Sequence, residues 1–196
     1  MTEDAPEDIW ISPEDDPHEI VSRLAKHRPA AFIGAQFDGA TDLAEIGPFI
    51  EASVSHPDND QKSADGVLLI DTGARRTSLV PSVITDLCLP AIGTTIGEGS
   101  TAVTVPVHVA QVLLRMFNRT GGPEAATPHL RVLQFPRELQ NLLKGLTIRG
   151  STPRVLGLLG RDVLEHGTLI YDGGGAVAEL RVTQAQLDSL NSLCPD

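Results

Sequence analysis

The sequence is poor in aromatic residues, with five Phe, one Trp and one Tyr among 196 residues. Hydrophobic residues nevertheless make up 41% of the chain, which is enough to build a core. Aliphatic side chains and glycine must therefore fill the interior. This composition suits a small β-barrel with glycine-rich turns better than it suits a binding cleft lined by aromatic rings.

Clusters of Lys and Arg are also missing, and the formal net charge is -11. Phosphate binding needs clustered basic residues, so we expect no nucleic-acid partner. The acids are concentrated at one end of the chain, because residues 1–19 contain eight Asp and Glu and no Lys or Arg. Such a run is typical of a solvated, disordered extension.

Long apolar runs and paired cysteines are absent as well. No apolar stretch approaches the roughly 20 residues that a membrane span needs, and the first residues do not read as a signal peptide. We therefore expect a cytoplasmic protein with no membrane partner. Cys88 and Cys194 lie far apart in sequence, which favours reduced thiols over a metal site.

Several common catalytic and cofactor motifs do not occur. The six histidines show no metal-ligand spacing, and there is no Gly-x-Ser-x-Gly nucleophile motif. Gly97 and Gly99 lack the third glycine and the following helix of a dinucleotide site. We expect no metal and no other cofactor, and carboxylates become the better candidates for catalysis.

One stretch of the chain combines a buried strand with an acid. Residues 67–70 are four consecutive apolar, partly β-branched residues, the pattern of a buried strand. Asp71 follows directly and enters a turn at Thr72 and Gly73. A carboxylate at the end of a buried strand needs a partner or a function. Gly73 lets the backbone turn so that amide N–H groups point at the carboxylate oxygens, which favours the ionised acid.

Two segments carry a family resemblance. Residues 68–81, LLIDTGARRTSLVP, resemble the active-site segment of retropepsin-like aspartic proteases. Residues 155–164, VLGLLGRDVL, resemble their closing motif, an apolar strand followed by Gly-Arg-Asp at the start of a short helix. The resemblance implies an all-β fold, a closed retropepsin-like β-barrel equivalent to half of a pepsin-like bilobal protein, with short helices and an N-terminal extension.

The resemblance also implies roles for the residues of the two motifs. Asp71 would be catalytic, and Thr72 would hydrogen-bond across a dimer axis. Arg161 would form a buried ion pair beneath the active-site loop, and a helix-capping role is expected for Asp162. The residues that would support the active-site loop are Thr72, Gly73, Ala74, Arg161 and Asp162.

A hairpin is predicted from strands at residues 93–96 and 103–114. By resemblance it is a flap that closes over a bound peptide, and the alternative is a plain surface hairpin. Arg75 and Arg76 either line the substrate cleft and favour acidic peptides or remain solvated. The flap residues expected to contact substrate are Gly97, Glu98, Gly99, Ser100 and Thr101.

Peptide hydrolysis by carboxylates requires two acids in one site, one ionised to activate water and one protonated to polarise the carbonyl group. The chain has one Asp-Thr-Gly and no Asp-Ser-Gly. A two-fold homodimer would bring Asp71 against its symmetry mate, as the resemblance implies. We expect an aspartic endopeptidase that acts on protein or peptide substrates. The alternative is a catalytically silent module that keeps the fold, dimerises and binds a peptide.

The expected organisation has three parts. Residues 1–47 form an acidic tail with a helix at 17–27 and a connector or edge element from residue 30. Residues 48–183 form the protease domain, and residues 184–196 form a C-terminal helix and tail. A polar insertion at 115–152 would cover the site, widen the dimer contact or bind a partner. Local predictions within these parts are strands at 49–55, 155–159, 169–172 and 177–182, a polar loop at 56–66, and helices at 83–87, with Ser82 as cap, at 136–144 and at 183–193.

Overall fold

A computed structural model describes residues 31–36, 47–97, 103–114, 125–139, 152–172, 177–182 and 184–192. Within these ranges the backbone is mostly β-strand, with three short helices. The strands are β1 (Ala31–Gln36), β2 (Phe49–His56), β3 (Asn59–Ile70), β4 (Ser78–Leu79), β5 (Ala91–Gly97), β6 (Val103–Leu114), β7 (Ala125–Gln134), β8 (Val155–Leu159), β9 (Thr168–Asp172) and β10 (Val177–Val182), and the helices are α1 (Pro81–Leu87), α2 (Arg161–Leu164) and α3 (Gln184–Asn191).

Six of the strands close into a barrel in the order β2-β3-β8-β4-β7-β6, and β6 pairs back with β2. Most neighbours are antiparallel, but β3 with β8 and β4 with β7 run parallel. Because the barrel is closed, each of its six strands is paired with a neighbour on both sides. β5 is hydrogen-bonded to β6 outside the ring. The predicted all-β closed barrel is confirmed.

A second sheet of three strands has the order β1-β10-β9. β1 pairs with β10 from Ala31 opposite Val182 to Gln36 opposite Val177. The segment from residue 30, predicted as a connector or an edge element, thus contributes an edge strand. The predicted β9–β10 hairpin and the predicted terminal helix are confirmed, and α3 lies against β7 and β10.

The core is aliphatic, as the composition predicts. Phe49 is the one aromatic residue among the buried hydrophobic residues that the structure describes. Burying one Leu or Ile side chain stabilises the fold by roughly 1.5–3 kcal/mol relative to leaving it exposed. Many buried aliphatic side chains can therefore stabilise a core that has few aromatic rings. The largest fully buried side chains are Phe49, Ile50, Leu68, Leu79, Leu114, Leu156, Leu159 and Leu180.

The predicted loop at 56–66 is wrong, because β3 already begins at Asn59 and only a two-residue turn precedes it. Pairing with β2 engages the backbone of Asn59 and of residues 63–66, and residues 60–62 form an irregularity in the ladder. The side chains at 61–63 face solvent while Ala64 is buried. Because successive side chains of a strand point to opposite faces, both faces of β3 meet solvent at residues 61–63, which is compatible with a polar sequence. The hydrophilic run therefore gave no strand pattern from which β3 could be predicted at this end.

The insertion at 115–152 contains a strand that the sequence prediction missed. β7 pairs with β6 and with β4 and is part of the barrel wall. Residues 136–139, the start of the predicted helix at 136–144, form a bend and coil, and the rest of that helix lies outside the described residues. The predicted helix at 17–27 also lies outside them.

The cap predicted for α1 is wrong as well. The helix begins at Pro81, two residues earlier than predicted, with Val80 before it and no side-chain cap. Pro is favoured at the first helical position because it has no N–H to leave unpaired. Ser82 instead binds Glu138, through its N–H at 2.8 Å and its hydroxyl at 2.9 Å.

Candidate active site

Asp71 leaves the barrel between two buried strands. Residues 67–69 of β3 are buried, and Ile70 is paired in parallel with Leu159 of β8. The N–H of Asp71 donates to the carbonyl oxygen of Leu159 at 3.0 Å. The backbone of the acid is therefore positioned by both strands that carry the predicted motifs.

The carboxylate of Asp71 is held by the turn that follows it. Its Oδ1 accepts hydrogen bonds from the N–H groups of Gly73 at 2.9 Å and Ala74 at 3.1 Å. Its Oδ2 accepts no hydrogen bond from the described residues, and the side chain is only half-buried. One oxygen is therefore oriented by the protein, and the other is available to a water molecule or a second acid.

The glycine of the turn keeps this carboxylate uncrowded. A Cβ atom added at Gly73 would lie 3.1 Å from Oδ1 of Asp71, closer than side-chain contacts normally allow. Thr72 is exposed, and Ala74 is half-buried. The predicted contact of Thr72 across a dimer axis stays a prediction.

The second motif lies against the active-site loop through backbone hydrogen bonds. The N–H of Arg161 donates to Ala74 O at 2.9 Å, and the N–H of Asp162 donates to Arg75 O at 3.2 Å. Gly160 permits this approach, because a Cβ atom there would overlap the backbone of Arg76. The start of α2 therefore supports the loop that carries the acid.

Thr77 and Asp162 form the side-chain link between these segments. The N–H of Thr77 lies 2.9 Å from each oxygen of Asp162, and its hydroxyl donates to Oδ1 at 2.8 Å. The same hydroxyl accepts the N–H of Gly160 at 3.1 Å. Burial raises the pKa of the Asp162 carboxyl above its ordinary value, while the Thr77 hydrogen bonds and the positive charge of Arg76 oppose that rise.

Two predicted roles need correction. The Arg161 side chain is exposed and forms no ion pair with an acid in the part of the chain that the structure describes, so the predicted buried pair beneath the loop is not found there; its backbone N–H provides the contact. Asp162 does not cap α2, since Gly160 occupies the cap position and the Asp162 side chain turns to Thr77. Thr77 was missed because its partner lies 85 residues away in sequence, and its only local signal is a hydroxyl residue in an extended, buried stretch.

A groove of about 250 Å³ lies beside the loop, between Arg76 and strands β5, β6 and β7. Arg76 thus lines a cavity, whereas Arg75 is exposed and is not part of its wall. Gly97 ends β5 and pairs with Val103. The other predicted flap residues, Glu98, Gly99, Ser100 and Thr101, lie outside the described residues, so the flap stays a prediction.

The chain is similar in structure to a retropepsin-like aspartic protease from Rickettsia conorii. The sequence identity is 15%, the TM-score is 0.42, and the alignment covers 80% of this chain and 96% of that chain. No protein-family model and no curated protein matches the sequence. The strand order and the closure of the barrel, rather than this similarity, define the fold.

The described parts of the chain contain no group of three or more His, Cys, Asp or Glu residues that could hold a metal ion. Across the same residues, no helix combines the length and the apolar character needed to span a membrane.

Proposed function

We propose that the protein is an aspartic endopeptidase whose active site forms when two copies of the chain bring their Asp71 side chains together. The observation that carries the proposal is the Asp71 carboxylate itself. It sits at the end of a barrel strand, with Oδ1 held by two amides and Oδ2 unengaged by the described residues.

The homodimer follows from the count of acids. In the described residues no second carboxylate is hydrogen-bonded to Asp71, and the sequence has a single Asp-Thr-Gly. A two-fold axis beside the turn supplies the second acid from an identical surface. Thr72, exposed at the same turn, is the residue that we propose to contact its symmetry mate.

In the proposed reaction the two Asp71 carboxyls share one proton. The ionised carboxylate takes a proton from water as the water oxygen attacks the peptide carbonyl carbon, and the protonated carboxyl donates to the carbonyl oxygen. The tetrahedral intermediate collapses when the carboxyl that took the proton from water donates it to the leaving nitrogen and the C–N bond breaks. The other carboxylate regains its proton from a hydroxyl of the intermediate as the carbonyl group re-forms. The amides of Gly73 and Ala74 keep each carboxylate oriented without reorganisation during the reaction.

Other parts of the chain complete the proposal. Residues 48–183 form the catalytic domain, with the acidic residues 1–19 outside it. The β5–β6 hairpin with its tip at residues 97–101 covers the bound peptide, and Arg76 lines the cleft beside the acid. Gly160 and Asp162 support the loop through the contacts described above.

The test is cleavage of a peptide library by the wild type and by Asp71→Asn. We expect the substitution to reduce the cleavage rate by at least about 100-fold, because it removes the proton-transferring group. Asp58→Asn, at the exposed β2–β3 turn, is the matched control and should cleave like the wild type. Equal rates for wild type and Asp71→Asn, with folding unchanged by circular dichroism, would exclude the proposed site.

The alternative function is a catalytically silent module that binds peptides. The observation in its favour is the groove beside the loop, which is built by one chain and needs no second acid. It predicts that the wild type binds peptides from the same library and cleaves none of them. The two functions are therefore separated by one experiment.

A further inference from the structure

We propose that the groove beside the Asp71 loop is a subsite for one acidic side chain, Asp or Glu, of an extended peptide. The inference rests on the proposed function in that it takes this peptide to be a substrate. The groove is composed of residues of a single chain. It can therefore bind its ligand whether or not catalysis follows.

The strand pairing explains why two arginines meet in this groove. Arg131 and Leu133 are two residues apart on β7 and share a face, and Val107 of β6 lies opposite Leu133. Arg76 enters from the active-site loop, whose next residue, Thr77, accepts a hydrogen bond from the Leu133 N–H at 3.0 Å. Arg76 and Arg131 are distant in sequence, yet the parallel contact of β4 with β7 places both at one cavity.

The electrostatics of the groove favour an anion. Nε of Arg131 is buried and has no hydrogen-bond partner among the described residues. Neither Arg76 nor Arg131 lies within ion-pair distance of an acid that the structure describes, although the positive charge of Arg76 also acts on the Asp162 carboxyl. A buried donor without an acceptor is costly, and the planar guanidinium group matches a carboxylate with two parallel hydrogen bonds. A carboxylate ligand would satisfy this donor.

The size and lining of the groove favour a side chain over a larger ligand. Its volume of about 250 Å³ is below the roughly 300–1,000 Å³ of sites for drug-sized molecules. Ile92, Val107 and Leu133 offer apolar surface to the methylene groups of Asp or Glu, and Thr94 and Thr95 of β5 complete the wall. An extended peptide lying along this exposed strand would place one side chain in the groove.

The experiment uses short fluorescein-labelled peptides that carry Glu or Gln at one varied position, in otherwise identical sequences. Cleavage is measured with the wild type, and binding is measured by fluorescence anisotropy with Asp71→Asn. At one position we expect Glu to be preferred over Gln by about tenfold, since hydrogen bonds to charged groups are the stronger ones. Arg131→Gln and Arg76→Gln should each remove most of this preference, whereas Arg137→Gln, exposed and outside the groove, should retain it.

The outcomes separate this inference from the proposed function. Cleavage that does not discriminate Glu from Gln, or a preference unchanged in both groove variants, overturns the subsite and leaves the peptidase intact. A preference in binding that depends on Arg76 and Arg131, with no cleavage by the wild type, supports the subsite and overturns the peptidase. If Arg131→Gln does not fold, Arg76→Gln on the exposed loop decides the matter. Absence of both cleavage and preferential binding overturns both.

Discussion

Asp71 and Asp162 show how the same side chain takes different tasks in different surroundings. Asp71 is half-buried and has one oxygen bound to amides of its own turn. Asp162 is engaged by both donors of Thr77, a residue with no exposed surface. The Asp71 carboxyl keeps one oxygen open to a ligand, and the Asp162 carboxyl joins two segments of the chain.

Asp162 carries a pH-dependent part of the stability. Its pKa in the folded chain is raised above 3.8, chiefly by burial. Between the two pKa values the folded chain binds more protons at this carboxyl than the unfolded chain, so its contribution to stability is fully present below the unfolded pKa and is lost as the pH rises through the folded pKa. Asp162→Asn keeps an oxygen that can accept from Thr77 and does not titrate.

We therefore expect the unfolding free energy of the wild type, measured in urea, to fall relative to that of Asp162→Asn as the pH is raised from about pH 3 to about pH 7. Every other titrating group is common to the two chains, so the comparison is its own control. A difference that grows in favour of the wild type at higher pH would show that the hydrogen bonds from Thr77 outweigh burial.

At the scale of elements, the contact between the start of α2 and the active-site loop depends on Gly160. A side chain at this position would overlap backbone atoms of Arg76, and backbone cannot move aside as a flexible side chain can. The start of α2 would then be pushed away from the active-site loop. This movement would break the backbone hydrogen bonds from Arg161 to Ala74 and from Asp162 to Arg75. The carboxylate of Asp71 is thus supported by elements far from it in sequence.

Gly160→Ala should lower the unfolding free energy by about 1–3 kcal/mol, the usual cost of overpacking a closed interior. Arg161→Ala is the matched neighbour; its side chain is exposed, so we expect a change within about 0.5 kcal/mol. Both are measured by chemical unfolding at one pH. Similar losses for the two variants would restore a structural role for the Arg161 side chain.

At the scale of the whole molecule, the barrel positions the loop that carries Asp71, and the proposed dimer brings two of these acids together. The sequence has a single Asp-Thr-Gly, so the proposed activity would follow the fraction of paired chains. Residues 1–19 hold eight of the 26 Asp and Glu residues. The remaining residues are therefore closer to neutral than the net charge of -11 indicates, which favours close approach of two copies of that part of the chain.

Peptidase activity per chain should fall on dilution with the same midpoint as the dissociation of the dimer seen by analytical ultracentrifugation. The reason is mass action, because a separated chain retains the fold of the site but lacks its second carboxyl. Asp71→Asn should dissociate over a similar concentration range without activity. Constant activity per chain in a sample that sediments as a monomer would contradict the shared site.

The sequence by itself determined an aliphatic core, the strand that ends at Asp71 and the turn of Gly73 and Ala74, because these follow from composition and from local patterns of apolar residues and glycine. The closed barrel was implied by the resemblance of two motifs to a known family. The tertiary structure alone decided that β7 belongs to the barrel, that the backbone of Arg161 replaces its side chain as support, and that Asp162 binds Thr77. It also decided that Arg76 and Arg131 share a groove. These contacts join segments far apart in the chain, and pairing of strands at long range leaves no local periodicity from which it could be predicted.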